Sequence, residues 1–410
     1  MSASVSDGVV SDVVVIGAGP AGSATALFLA RAGYAVTLLD RAVFPRPKPC
    51  GEYLTPGAVR LLRDEIGVLP ALLAGGALPL THETVVPHRA ASFGGPTSAL
   101  ACPRTVTDSV LRNAAQAAGV RVVEGFQVRR ILRGDAGVVG VSGTDADGQA
   151  QTLTARVTVG ADGTKSLLAR EMGVVRPLPR LQKLALVTHF RTCEGSSEAA
   201  VTMHLPRDGA DVCCGVGAAC GPEGTRNVNI VVPLSEGPLL AGRREVYFEE
   251  RLRRSFPAVS EMLEGAVQVG PLHSVGCFGH HTARATADGA VLVGDAATFI
   301  HPFTGEGVFF ALRGGQLAAC SIAAALADGD VSARRLSSYD AARRRELLPR
   351  YHLCDLVQRV VHSPSALAWA SARLRRSAPL TDLILQTIGD LARPADLLSF
   401  STLRLALASL

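Results

Sequence analysis

The chain has 410 residues, 48% hydrophobic and only 5% aromatic, with a formal net charge of +5; that length buries a large core, in one large or two intertwined domains. It holds no run of 18 apolar residues, and no basic stretch with a signal-type apolar core precedes its first motif, which predicts a cytoplasmic protein without a membrane span. The whole charge excess sits in residues 341–410, ten arginines against five acids, without the interleaved aromatics of a nucleic-acid platform, so nucleic-acid binding is excluded.

The first predicted element is a βαβ unit from Asp12 to Asp40. Val13–Ile16 is an apolar, β-branched run suited to a strand buried on both faces. Gly17, Gly19 and Gly22 follow in G-x-G-x-x-G spacing, with Pro20 and Ala21 opening a helix over Ala24–Ala32. In that spacing the first glycine makes the tight turn, the second admits a pyrophosphate to the backbone and the third lets helix and strand pack closely. The helix start adds free N–H groups and a positive dipole end. Asp40, followed by Arg41, closes the next apolar run, where its carboxylate can accept from ribose hydroxyls and disfavours a 2′-phosphate.

Pro45, Pro47 and Pro49 then predict an extended surface loop that leads into Cys50-Gly51-Glu52-Tyr53. A helix is expected over 59–73, short strands over 77–101, a helix over Thr107–Ala118 and a strand over Val120–Glu124. A meander with a hairpin turn at Asp147-Gly148 follows, and its last strand ends in Ala161-Asp162-Gly163 before a helix opening at Ser166. From 181 to 270 apolar and polar residues alternate, as in an antiparallel sheet, with a helix over Glu245–Arg254. Gly215-x-Gly217-x-x-x-Gly221 has the wrong spacing for a nucleotide loop and reads as a glycine-rich strand end. The strand–turn pattern returns at Gly289–Asp295, feeding a helix over Val308–Ala327; the rest is helical, broken at Pro349, Pro364, Pro379 and Pro394. Nine cysteines, an odd number with no C-x-x-C pair, predict reduced thiols and no metal site.

The ordered set of Gly17–Gly22, Gly160-Ala-Asp162-Gly163 and Val293-Gly294-Asp295-Ala-Ala297 resembles the flavoprotein superfamily of class A aromatic hydroxylases, geranylgeranyl reductases and flavin halogenases. The resemblance implies an α/β fold: a Rossmann-like FAD-binding domain (1–80, 101–180 and 271–340), an inserted antiparallel β-sheet substrate domain (81–100 and 181–270) and a C-terminal helical segment (341–410). It implies FAD as cofactor, held by Gly17, Gly19, Pro20, Ala21, Gly22, Asp40, Arg41, Arg104, Asp162, Gly163, Gly294 and Asp295, with NAD(P)H as a transient reductant. Two stretches look most like the geranylgeranyl reductase branch: Cys50-Gly51, and His301-Pro302-Phe-Thr-Gly305-Glu306-Gly307, both expected beside the flavin ring. The chain departs from that branch in the substrate sheet, where Val212–Ala218 carries no aromatic. It departs from the halogenases too: Lys183 is the sole lysine there and lacks their motif.

The leading expectation is therefore a monooxygenase that hydroxylates a small phenolic or polyketide-like substrate with NAD(P)H and O2. The alternatives are an ene-reductase acting on an isoprenoid or quinone side chain and a non-catalytic flavin-binding partner protein. Cys50 is a flavin-face residue or a packing residue, and His301 a general base or a polar helix start. Tyr53, His280 and His281 are pocket candidates, and Glu52 orients its loop through a salt bridge. The Arg-rich tail packs on the FAD domain with its arginines solvated, or docks on an anionic lipid surface, making the protein peripherally membrane-associated, or on an acidic carrier protein.

Overall fold

The computed structural model describes residues 9–86, 93–191, 199–208, 210–221, 224–276, 279–300, 304–361 and 363–399. The βαβ unit forms as β1 (Val9–Ile16), α1 (Pro20–Arg31) and β2 (Val36–Leu39). Val13, Val14 and Val15 are wholly buried, as a strand covered on both faces requires. Thr55 caps α2 (Pro56–Arg60) by accepting from the N–H of Ala58. Instead of one helix over 59–73, the chain makes a π turn at Leu61–Ile66, stops at Gly67 with φ 83°, and restarts as α3 (Leu69–Ala74). A left-handed glycine ends a helix because its successor can no longer continue the ladder.

Next come β3 (His82–Val86) and β4 (Phe93–Pro96), then α4 (Arg104–Ala117), β5 (Arg121–Val123), and the meander β6 (Gln127–Gly134), β7 (Gly137–Thr144) and β8 (Ala150–Gly160). The next strands are β9 (Lys183–Arg191), β10 (Ala200–His204), β11 (Cys213–Cys220) and β12 (Thr225–Pro233); helices α5 (Arg244–Ser255) and α6 (Pro257–Met262) precede β13 (Val267–Gly276). The chain ends with β14 (Ala290–Leu292) and helices α7 (Gly307–Ala327), α8 (Ala333–Glu346), α9 (Leu348–Val361), α10 (Pro364–Arg376) and α11 (Ala378–Ile388). The prolines at 349, 364 and 379 open helices, where a missing N–H costs nothing.

Two sheets carry the architecture. In the first, β14, β8, β1, β2 and β5 run parallel in that spatial order, with β7 added antiparallel to β8 and β6 antiparallel to β7. The second is seven-stranded, ordered β13-β9-β12-β11-β10-β3-β4. It therefore joins 82–96 to 183–276, six residues beyond the expected boundary at 270. Its Leu184, Leu186, Cys214, Val216, Val228, Ile230 and Val232 face α5 and α6, packing with Tyr247, Phe248 and Val259. The opposite face holds Ala185, Val187, Cys213 and Val231, packed with Val357, Val361 and Leu367 of the C-terminal helices. Gly215 and Gly217 lie inside β11, not at its end.

Helix α7 is long and apolar enough to cross a membrane, but 61% of its most apolar window is buried in the protein. It packs on α1 so closely that a Cβ on Gly315 would stand 2.8 Å from the carbonyl of Ala21. Its apolarity has a core to face.

Candidate cofactor and substrate site

The parallel register sets three strand ends side by side: Ile16 opposite both Leu39 and Gly160, and Gly160 opposite Leu292. The turns after them converge in the crevice where open α/β sheets take their ligands. Gly17, at φ 100°, packs on the next turn, and a Cβ there would lie 2.5 Å from the oxygen of Ala161. A Cβ on Gly22 would lie 1.9 Å from the oxygen of Gly17, and one on Gly294 only 2.7 Å from Cβ of Ala21. Gly19 differs: its Cβ would meet nothing nearer than the Arg46 guanidinium at 3.7 Å. Two glycines of the loop are needed by the fold, and the third leaves room beside the start of α1.

Around this room stand acids and bases in alternation. Asp40 accepts from the N–H of Ala18 (2.8 Å) and of Ala42 (2.9 Å), so its carboxylate holds the glycine loop. Arg104 grips Asp108 bidentately at 2.7 and 2.8 Å, and Arg46 approaches the same carboxylate at 3.3 Å and Asp40 at 3.9 Å. Lys48 reaches into this group: burial and then Arg104 lower its pKa, and Asp295 opposes them. Burial pushes Asp295 up to about 6 against the pull of Lys48 and Arg104, and among the described residues its carboxylate has no hydrogen-bond partner. Asp162 spends one oxygen on the N–H of Leu167 (2.8 Å) and leaves the other buried without a partner among the described residues; burial raises its pKa too. Arg41 is exposed, Gly163 and Gly307 face open space, and His301 and Pro302 lie outside the described residues.

The Cys50 loop bridges this crevice to the second sheet. The Cys50 thiol is half-buried and lies near enough to the Arg104 guanidinium to raise its pKa, while Cys102, Cys213, Cys214, Cys220 and Cys354 are buried thiols. The Cys50 carbonyl accepts from Asn227 Nδ2 at 2.8 Å, and Asn227 Oδ1 from Asn229 at 3.0 Å. Glu52, at φ 57° and buried, meets His189 Nε2 at 2.9 Å. That is the salt bridge expected of it when His189 is protonated. A Cβ on Gly51 would be 3.5 Å from Asn229. Tyr53 lies against Gly305, where a Cβ would be 2.6 Å from its ring, and donates to Glu83 at 2.6 Å. The stretches 50–53 and 304–307, far apart in sequence, are thus in contact. His280 binds the carbonyl of Asp295 at 2.9 Å and supports that turn; its partner in sequence, His281, sits beside Arg176 and Arg343.

The FAD binding domain family profile matches residues 10–347. The chain belongs to that FAD-binding family. It is 31% identical over 322 residues to the menaquinone reductase of Mycolicibacterium smegmatis, a match that spans 75% of each chain. It is 29% identical to the digeranylgeranylglycerophospholipid reductase 1 of Methanothermobacter thermautotrophicus, over 82% of this chain and 83% of that one. Among solved structures the flavin-dependent brominase Bmp2 superposes with a TM-score of 0.80 at 21% identity, covering 94% and 97% of the two chains. A geranylgeranyl bacteriochlorophyll reductase-like protein from Thermoplasma acidophilum gives 0.75 at 19% identity, covering 98% and 96%. These last two share the fold. The protein is an FAD-dependent oxidoreductase by family.

The crevice of this flavoprotein fits FAD on its own evidence. Gly19 leaves space where a pyrophosphate meets a helix start, and Arg46, Lys48 and Arg104 supply cations for it. The Asp162 oxygen that lacks a partner among the described residues, and the Asp295 carboxyl raised by burial, suit hydroxyl donors. Arg46 and Lys48 were missed in the sequence because a proline-rich loop reads as surface. The alternation Pro45-Arg-Pro-Lys-Pro49 was the available signal, since prolines hold an extended backbone that presents the intervening side chains. His189, Asn227 and Asn229 were missed as well. Asn227 and Asn229 stand two apart in an apolar strand, where asparagine is disfavoured, and that was their signal. Lys183 is buried in an ion pair with Asp211.

Proposed function

We propose that the protein reduces a carbon–carbon double bond in the isoprenoid side chain of a lipid, a quinone side chain included. This reverses the order in which the sequence ranked its two chemistries. The observation that carries it is the Cys50 loop, docked through Asn227 against the second sheet with its half-buried thiol beside the Arg104 guanidinium of the cofactor crevice. Bound and reduced, FAD supplies a hydride to such a bond, and a nicotinamide nucleotide is the reductant that restores it. The neighbouring carbon then needs a proton. Cys50 Sγ holds that proton, and Arg104 balances the thiolate left behind. Asn227 and the Tyr53–Gly305 contact keep the loop in place.

The substrate-facing sheet supports an apolar ligand with a polar end. Ala185, Val187, Cys213 and Val231 pack with Val357, Val361 and Leu367 into an apolar layer that keeps water from this side of the sheet. His189, Asn227 and Asn229 end it with hydrogen-bonding groups. The names of the relatives, reductases of menaquinone and of a digeranylgeranyl glycerophospholipid, support the same class.

The second reading, hydroxylation of a phenolic or polyketide-like substrate with NAD(P)H and O2, is favoured by Gly215 and Gly217, which leave the polar end without aromatic cover. Mixing the anaerobically reduced protein with either a prenylated quinone or O2 plus a panel of phenols separates them. Fast flavin oxidation by the prenylated compound, yielding a product two hydrogens heavier, is expected. Hydroxylated phenol, with no oxidation by the prenylated compound, would replace this reading with the second.

A further inference from the structure

Glu306 was expected to touch the cofactor, but its side chain points into a closed polar cluster beneath the C-terminal helices. It is 1% exposed, and Oε2 takes the Cys354 thiol of α9 at 2.7 Å. Thr304 Oγ1 lies 3.3 Å from the same sulfur. Asp390, just past α11, is also 1% exposed and sits at φ 66°, a left-handed conformation that non-glycine residues hold at a cost. Its oxygens accept from Thr55 Oγ1 and from Arg350, each at 2.9 Å. Arg350 also donates to the carbonyls of Thr387 and Ala392, so it grips the whole end of α11. Gly57 N–H donates to the carbonyl of Gly389 at 2.7 Å.

The carboxyl groups of Glu306 and Asp390 are within hydrogen-bonding reach of each other. Two ionised carboxylates only accept, so that contact requires a proton on one of them. The charge count agrees. Among the described residues, those facing the pair are one cation, Arg350, the hydroxyls of Thr55 and Thr304, and the Cys354 thiol, kept neutral by burial and then by Glu306. Tyr53, kept neutral by burial and by Glu83, feels Asp390 from the next strand. Glu306 Oε1 is buried, and among the described residues no donor reaches it.

We propose that Glu306 and Asp390 are positioning residues that share one proton, and that this proton fastens the C-terminal helices onto the two active-site loops, 50–55 and 304–307. The pair touches one loop through Thr55 and the other through Thr304 and Glu306 itself. Loss of the proton puts two negative charges against one guanidinium, and the end of α11 lets go of both loops. The inference needs only FAD binding and is independent of whether the enzyme reduces or hydroxylates.

Burial raises both pKa values above the ordinary carboxylate range. The folded state therefore binds the proton more tightly than the unfolded chain, and fastening is complete at low pH and lost as pH rises through the raised values. The test is a pH series from 5 to 9 on the full chain, comparing wild type, Glu306→Gln and Asp390→Asn. It reads hydrogen exchange of residues 378–392 in the apoprotein and FAD affinity by flavin fluorescence. In the wild type, protection of 378–392 is expected to fall with pH, by at most about tenfold per unit for one proton. FAD affinity should fall with it. Glu306→Gln keeps a donor in the contact and leaves a single carboxylate against Arg350, so its protection should stay at the low-pH level throughout. Asp390→Asn strands Arg350 and should exchange faster at every pH. Asp295 also titrates near the cofactor, so the exchange readout decides. Wild-type protection at 378–392 that does not change with pH, or a Glu306→Gln protein whose protection titrates like wild type, would overturn the proposal.

Discussion

The cofactor crevice and the substrate face lie against each other and are built in opposite ways. The crevice is made of backbone: Gly17, Gly22 and Gly294 let turns approach within distances no side chain tolerates, and Gly19 leaves the remaining space open. The substrate face is made of side chains, His189, Asn227 and Asn229, contributed by β9 and β12 and tied to a loop more than a hundred residues earlier. A backbone site is generic and severe in its demands; a side-chain site is tolerant of change and selective in what it binds.

That contrast is sharpest within the glycine loop. Gly22→Ala should cost about 3 kcal/mol or more of stability, since its methyl has no room and the overlapping atom is backbone. Gly19→Ala should leave the apoprotein melting temperature unchanged and still weaken FAD binding strongly. Calorimetry with flavin titration checks both, and a Gly19→Ala apoprotein as unstable as Gly22→Ala would erase the distinction. Next in size, Cys50→Ala should retain FAD and lose about 10²-fold or more of the turnover that its proton supports. Unchanged turnover would remove the thiol from the reductase chemistry.

A smaller effect separates the crevice by pH. Asp295, raised to about 6 by burial, contributes stability that is full below its ordinary value near 4 and lost as pH rises through 6. Asp295→Asn should therefore melt with wild type near pH 4 and above it near pH 8, by up to about 2 kcal/mol after allowance for its contact with solvent. Equal melting at pH 8 would mean that Asp295 is compensated by groups other than Lys48 and Arg104. The smallest change is expected on the substrate face. Asn229→Ala removes one neutral hydrogen bond, about 1 kcal/mol, and should raise KM several-fold while FAD affinity stays constant. A drop in FAD affinity instead would show that the two regions are not separable.

The elements that the sequence made legible are those whose signal is local. Val13–Ile16 with Gly17, Gly19 and Gly22 announces its strand, turn and helix within a dozen residues, because glycine spacing and strand burial are decided by near neighbours. The turns at Asp162 and Asp295 repeat that grammar, and the parallel register brings them to Gly17 as their order implied. The single helix expected over 59–73 failed for an equally local reason, a left-handed glycine at position 67.

What only the tertiary structure decided depends on pairs distant in sequence. The Arg-rich tail read as a solvated face, yet Arg350 is buried on Asp390, and Arg343 reaches Thr298. A charged side chain looks the same in sequence whether water or a buried carboxylate compensates it. Glu306 read as a cofactor residue from its motif, but Cys354 and Asp390 draw its side chain away. Arg46, Lys48, His189 and Asn227 gained their places in the same manner, from partners on other elements. Local sterics wrote the cofactor crevice into the sequence; desolvation, which exists only once distant segments have packed, decided which polar groups share it.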